Sequence, residues 1–174
     1  MTWTTPHTYV VGELVTAATL NTDVRDNFTF LHSPPSCRVY NDANIAVPTT
    51  AVADLTFNSE YWDNATIHST VTNTGRLTAP IDGVYLVSLT IHWATGSNNR
   101  YIGINLNASD LLAIQEQKGL SSASIIMNCS AEVFLEAGQF AGAEVQHTHG
   151  SDLNILAVGD YSPAFGMTWI SEGT

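Results

Sequence analysis

The run from Gly83 to Trp93 constrains this chain more than any other stretch. Tyr85, Val87, Leu89, Ile91 and Trp93 alternate with smaller or polar residues without a break. A period of two puts them all on one face of a β-strand. A Pro/Asp-Gly turn opens the run, within Arg76-Leu77-Thr78-Ala79-Pro80-Ile81-Asp82-Gly83, where Pro presets φ and Gly tolerates the bend. A long strand with one apolar face must bury that face against a second layer. The same alternation recurs at Ile102, Ile104 and Leu106, at Ile125, Met127, Cys129, Ala131, Val133 and Leu135, and at Phe165, Met167 and Trp169. Turn signals separate these runs, and no helical period lies between them. The expectation is an all-β sandwich or barrel from residue 37 onward.

The first 36 residues differ. Residues 3–13 are rich in Thr and aromatics and read as an extended peptide. Thr16 is a natural N-cap for a short α-helix. Leu20, Val24, Asn27 and Leu31 then follow at spacings of four, three and four, an a/d stripe that Phe28 widens. Ser33-Pro34-Pro35-Ser36 stops the helix, since a residue before Pro avoids the helical region. A helix this short is marginal alone and needs a partner. Its stripe either packs on its own domain or pairs with other copies as a stem. The polar Asn27 within an apolar seam favours the stem. The expected division is a docking peptide and stem over residues 1–36 and a β head over residues 37–174.

Charge narrows the partners. Of 174 residues only 12% are charged, and the net charge is −11, with four arginines and the single Lys118. Phosphate binding needs clustered Lys and Arg, so no nucleic acid is expected, and no attraction to anionic membranes. No apolar stretch approaches the roughly 20 residues of a transmembrane helix. The start lacks the basic and apolar regions of a signal peptide, which points to synthesis in a cytoplasm. The chain has no G-x-S-x-G, no H-E-x-x-H and no phosphate-cradling glycine loop, so neither enzymatic activity nor a cofactor is expected.

Few side chains offer a specific site. His147-Thr148-His149 would place two imidazoles on one side of a strand, a weak metal-binding pattern; the plain alternative is two surface histidines before the Gly150 turn. Asp82, Asp110 and Asp152 sit in turns without the ligand series of a Ca²⁺ loop. Cys129 reads as a buried thiol on a strand face, and a bridge to Cys37 stays open. Residues 58–75 show little periodicity and read as a long surface loop. Tyr61 and Trp62 within it are the aromatics suited to a ligand contact. Gly142 and Gly166 leave bare faces on their strands, room for a close neighbour such as another subunit's backbone.

Four pieces in order carry a resemblance: the T-A-P-x-x-G-x-Y run at residues 78–85, the turn after Arg100-Tyr101-Ile102-Gly103-Ile104, the Phe134-Leu135-Glu136-Ala137-Gly138-Gln139 turn, and the terminal run from Ser162 to Ile170. This succession resembles C1q/TNF-like jelly-roll domains over about residues 37–171. The nearest variety is similar to the heads of tail fibres and other virion proteins of bacteriophages and prophages. The leader, W-T-T-P-x-T-Y-V-V-G-E-L-V-T from Trp3, resembles segments on small proteins encoded near phage tail genes. The resemblance implies a homotrimeric, receptor-binding virion protein. Its residues 1–36 would dock on a larger virion component and its head on a host-surface glycan or protein. The alternative it implies is a capsid or tail decoration protein that stabilises the particle. No collagen-like Gly-X-Y stalk precedes the head, so a trimer must come from the jelly roll and the short stem.

Overall fold

The computed structural model describes residues 3–173. They form two compact units, one ending at Pro34 and one over Pro35–Gly173.

In the N-terminal unit an extended peptide precedes three abutting helical pieces, Ala17–Leu20, a π-helical Asn21–Asp26, and Asn27–His32. Thr16 caps the first, its hydroxyl oxygen accepting from the Thr19 N–H at 3.2 Å. The helix stops at Ser33, ahead of the two prolines. No helix among the described residues is long and apolar enough to cross a membrane.

The second unit is a jelly-roll sandwich of two antiparallel sheets. The first contains β1 (Ser36–Tyr40), β2 (Ile45–Val47), β4 (Ser59–Asp63), β6 (Gly83–Trp93), β9 (Ile125–Leu135), β11 (Leu153–Ile155) and β12 (Ala164–Ser171). Its order is β9-β6-β12-β1-β4, with β11 and β2 continuing from the C-terminal end of β6. The second sheet contains β3 (Ala53–Asp54), β5 (Arg76–Thr78), β7 (Asn98–Leu106), β8 (Asp110–Gly119) and β10 (Phe140–His147). There β10 pairs with β7 on one edge, while β3 and β5 share the other.

The core is the one the alternations imply. Tyr85, Val87, Leu89, Ile91 and Trp93 are buried on β6, as are Phe165, Met167 and Trp169 on β12. Ile102, Ile104, Ala141, Ala143 and Val145 are buried from the second sheet. Phe57 stacks on Phe165 with ring centroids 5.5 Å apart. Each such large side chain contributes about 1.5–3 kcal/mol relative to exposure.

The turn into β6 is locked from three sides. The Tyr85 hydroxyl donates to the Ile81 carbonyl at 2.8 Å. The Trp169 indole N–H donates to the Asp82 carbonyl at 3.3 Å. The Ala137 N–H donates to the Asp82 carboxylate at 2.8 Å. Gly83 is required here because the indole lies against its bare Cα: a Cβ would sit 2.2 Å from Trp169 Nε1 and 2.6 Å from the Ser171 carbonyl oxygen.

One expectation is corrected. Residues 58–75 are not one long loop: residues 59–63 form the edge strand β4. The rest is fastened down by Asp63, whose carboxylate accepts from the N–H groups of Ala65, Ile67 and His68. The buried His68 ring sits between Glu60 Oε1 at 2.9 Å and the Thr74 carbonyl at 3.1 Å. In addition β8 has no clean alternation, because it is an edge strand exposed along most of its length.

Replacing Gly83 by Ala is expected to cost about 3 kcal/mol through the clash with Trp169. Tyr85→Phe should cost about 1–2 kcal/mol by leaving the Ile81 carbonyl without its donor. Urea midpoints at unchanged m-value check both; a Gly83→Ala protein as stable as the parent would contradict the packing described.

Candidate functional site

The four stem residues divide. Leu20, Val24 and Leu31 are about half exposed, and Phe28 beside them more so. Asn27 is turned the other way and buried. Its side chain accepts from the Thr4 N–H at 3.0 Å and donates to the Thr4 carbonyl at 2.7 Å, pairing with that residue as a neighbouring strand would. Trp3 meets Phe30 at a tilt, with ring centroids 6.3 Å apart. The polar group that looked like a register device for a stem holds the leader peptide to the helix within one chain. Tyr9, Val10, Val11, Leu14 and Val15 of the leader stay exposed.

The outer face of the first sheet is where Tyr61 and Trp62 come to lie. A bulge in the β1–β4 pairing sets Arg38 opposite Trp62 and Val39 opposite Glu60, so Tyr61 is the extra residue. Tyr61 stacks on Tyr40 at 4.3 Å, under the Arg38 guanidinium at 5.3 Å. Its hydroxyl donates to the Gly159 carbonyl at 3.2 Å, and Arg38 donates to the Asp160 carbonyl at 2.7 Å. Tyr61 is thereby tied to its own chain, while Trp62 is 49% exposed. Trp62 and Arg38 border a hollow of about 240 Å³ floored by Leu86, Ser88, Gly166 and Thr168. Ile126, Phe134 and Ile170 add to the same face, each 46–49% exposed, with Leu86 at 42%. Leu86, Phe134 and Ile170 gather toward one end of this face, while Ile126 stands at the other end of β9 and Trp62 on the edge strand β4, an apolar exposure that suits an interaction surface.

The histidine pair does not converge. His147 is buried, and its ring meets the edge of Trp93 at 5.5 Å. Its Nε2–H donates to the Val47 carbonyl at 2.8 Å, and its Nδ1 accepts from the His149 N–H at 3.2 Å. Both ring nitrogens are thus used within the fold. Among the described residues no three His, Cys, Asp or Glu side chains are placed to hold a metal ion. Arg100, the cross-strand partner of His147, is also buried, donating to the Ala94 and Gly96 carbonyls at 3.0 and 2.7 Å. Burial pulls its pKa below the usual guanidinium value. These residues close one end of the sandwich.

Both cysteines are free, Cys37 buried and Cys129 half-buried. They stand on β1 and β9, three strand spacings apart in one sheet. That is about 14 Å, twice the reach of a disulfide. The bare strand faces also lie close to atoms of their own chain. A Cβ on Gly166 would meet the Cys37 carbonyl oxygen at 3.3 Å, and one on Gly142 would meet Asn105 Oδ1 at 2.6 Å.

A second cleft, of about 290 Å³, opens on the outer face of the second sheet around Gly142. Arg76, Gly142 and Asn105 are cross-strand partners on β5, β10 and β7 and form its floor and one wall. The Arg76 guanidinium lies over the Phe140 ring at 4.1 Å. Beneath, Glu144 accepts from the Tyr101 hydroxyl and from Asn105 Nδ2 at 2.9 Å. Burial, then the bond to Glu144, pushes the Tyr101 phenol well above its usual pKa, keeping it a donor. Sequence reasoning did not find this cleft: β3 and β5 are short strands, and only the fold puts both beside β10.

No protein-family model matches this chain, and no curated protein is similar to it in sequence. Solved structures are similar in fold. A TNF of the Eiger type from S. frugiperda is 21% identical with a TM-score of 0.58, over 80% of this chain and 94% of that one. Murine APRIL is 8% identical with a TM-score of 0.60, over 78% of this chain and 98% of that one. The globular domain of zebrafish complement 1qA is 16% identical with a TM-score of 0.56, over 78% and 97%. The fold defines the class: a jelly-roll sandwich of the TNF/C1q type.

The thiols provide a direct test of the core geometry. Burial pushes the Cys129 thiol up to about 11, so its reactive thiolate is scarce below that pH and grows about tenfold per pH unit on approach. Iodoacetamide labelling should rise along that slope at Cys129 and reach Cys37 only on unfolding. Rapid, pH-independent labelling of Cys37 in the folded protein would contradict this placement.

Proposed function

We propose that this chain is a non-enzymatic adhesion subunit of a bacteriophage or phage-like particle, working as a homotrimer. The observation that carries the assembly part is the apolar outer face of the first sheet, where Trp62, Leu86, Ile126, Phe134 and Ile170 are 42–49% exposed. The likeness in fold to a C1q globular domain supports it, since heads of that type associate in threes. Small residues between the apolar ones, Ser88, Ser130 and Gly166, let neighbouring copies approach closely. Leu20, Val24, Phe28 and Leu31 offer a second apolar stripe, for self-association as a stem. Asn27 is satisfied within its own chain and takes no part in it. Three copies multiply weak contacts by avidity.

Residues 1–36 serve as the docking segment, through the exposed Tyr9, Val10, Val11, Leu14 and Val15. The resemblance of this leader to those of phage tail proteins supports a virion as the partner. The head then faces a host-surface glycan or protein.

Leu86→Glu combined with Phe134→Glu should shift the complex to monomers, each folded by circular dichroism, because burying two carboxylates costs several kcal/mol. Leu20→Asp with Val24→Asp should separate the stem while the heads stay associated, as sedimentation velocity would record. A complex untouched by the first pair would place the interface elsewhere. Binding of the purified protein to host cells tests adhesion. Its absence, with particles studded over the capsid by electron microscopy, would make the chain a decoration protein instead.

A further inference from the structure

The cleft on the outer face of the second sheet has the chemistry of a ligand site, and the adhesion reading does not by itself require it. Three features show that it is built. The first is the floor. Gly142 presents no side chain, and Asn105 Oδ1 lies over its bare Cα, 2.6 Å from where a Cβ would stand. Asn105 is 3% exposed, and its Oδ1 has no hydrogen-bond partner. Its orientation is not free: a flipped amide would put its oxygen against Glu144 Oε2, which now receives the Nδ2–H at 2.9 Å. The lone pairs facing Gly142 are therefore fixed by the carboxylate behind them. A buried acceptor without a donor is uncommon and calls for a partner.

The second feature is the wall. The Arg76 guanidinium lies over the Phe140 ring and makes no hydrogen bond or ion pair with other described residues. The ring holds it without using its N–H groups. The third is the opposite rim, where Asp54 and Thr56 face the loop bearing Thr74. That loop is fixed by the buried His68 ring, which bonds the Thr74 carbonyl at 3.1 Å.

Together these give one cation with free donors, one carboxylate, a fixed amide acceptor, two hydroxyls and a small apolar floor. Such a mixture suits a ligand whose own groups both donate and accept. A ligand of either charge would meet a like charge at Arg76 or Asp54, and an anion would also enter the field of a chain with net charge −11. A cleft of about 290 Å³ stands at the small end of ligand sites, room for one ring.

We propose that this cleft binds a single neutral pyranose unit of a surface glycan, with hydroxyls donating to Asn105 Oδ1 and Asp54 and accepting from Arg76, and the ring's C–H face on Gly142. This names the ligand class of the adhesion head and rests on that reading. Each site alone is weak, and three in one assembly recover affinity.

The test is TROSY amide spectroscopy of the full chain, titrated with the methyl pyranosides of glucose, galactose and N-acetylglucosamine, and with sialyllactose as the anionic probe. At least one neutral pyranoside should shift the amides of Gly142, Asn105 and Arg76. Arg76→Ala, at an exposed position, should weaken that binding about tenfold, the loss of one charged hydrogen bond. Gly142→Val, which fills the floor and presses on Asn105 Oδ1, should abolish it, with spectral changes confined to the amides around Asn105, Glu144 and Tyr101. No response at these amides to any neutral probe at its solubility limit overturns the proposal, as does a response to sialyllactose alone. Cell binding separates the two claims. If Arg76→Ala and Gly142→Val bind host cells as the parent does, adhesion stands and the cleft is not its site. If the parent binds no cells yet takes a pyranoside here, the adhesion reading fails and the sugar site stands.

Discussion

The packing of Trp169 on Gly83 is the contact on which the rest of the head depends. It joins the last strand to the start of the central core strand β6, residues far apart in sequence. The indole N–H satisfies the Asp82 carbonyl while its ring fills the space a side chain at 83 would need. Closing so long a loop is costly in entropy. The reward is the full β6–β12 ladder, from Val84 paired with Ser171 to Thr90 paired with Ala164. That ladder sets Tyr85 to Trp93 facing inward, and the same alternation sets Leu86, Ser88 and Thr90 facing outward. The core and the outer face of the first sheet are therefore two consequences of one register.

The two outer faces differ in chemistry. The first sheet presents Trp62, Leu86, Ile126, Phe134 and Ile170 among small polar residues, a surface suited to close association with its own kind. The second carries a polar network of Tyr101, Glu144 and Asn105 beneath a cleft walled by Arg76 and Phe140. An assembly that covers the first face leaves the second turned outward. Assembly and recognition can then coexist without competing for surface.

The fold was legible because its signal lies in period and turn chemistry. The alternations at residues 83–93, 125–135 and 164–169 match β6, β9 and β12 nearly residue for residue. The signal failed where burial does not alternate. Edge strand β8 is exposed on most of its residues, and β4 carries a bulge that breaks its period at Tyr61. Asn27 misled for a related reason: spacing alone does not say whether a polar residue in a stripe meets a partner helix or its own leader, and the π-helical stretch before it changes which residues share a side. His147 and His149 looked alike in sequence, yet the strand ends between them, so one is buried and the other belongs to a turn. The cleft left no sequence trace at all, since Arg76, Asn105 and Gly142 meet only through the pairing of β5, β7 and β10.

The proposed assembly turns on the outer face of the first sheet being covered by copies of the same chain. Native mass spectrometry of the intact protein at micromolar concentration measures this most directly. The predicted result is one species at three times the 18.7 kDa of a single chain. A monomer under those conditions, with its five apolar side chains left in water, would contradict it.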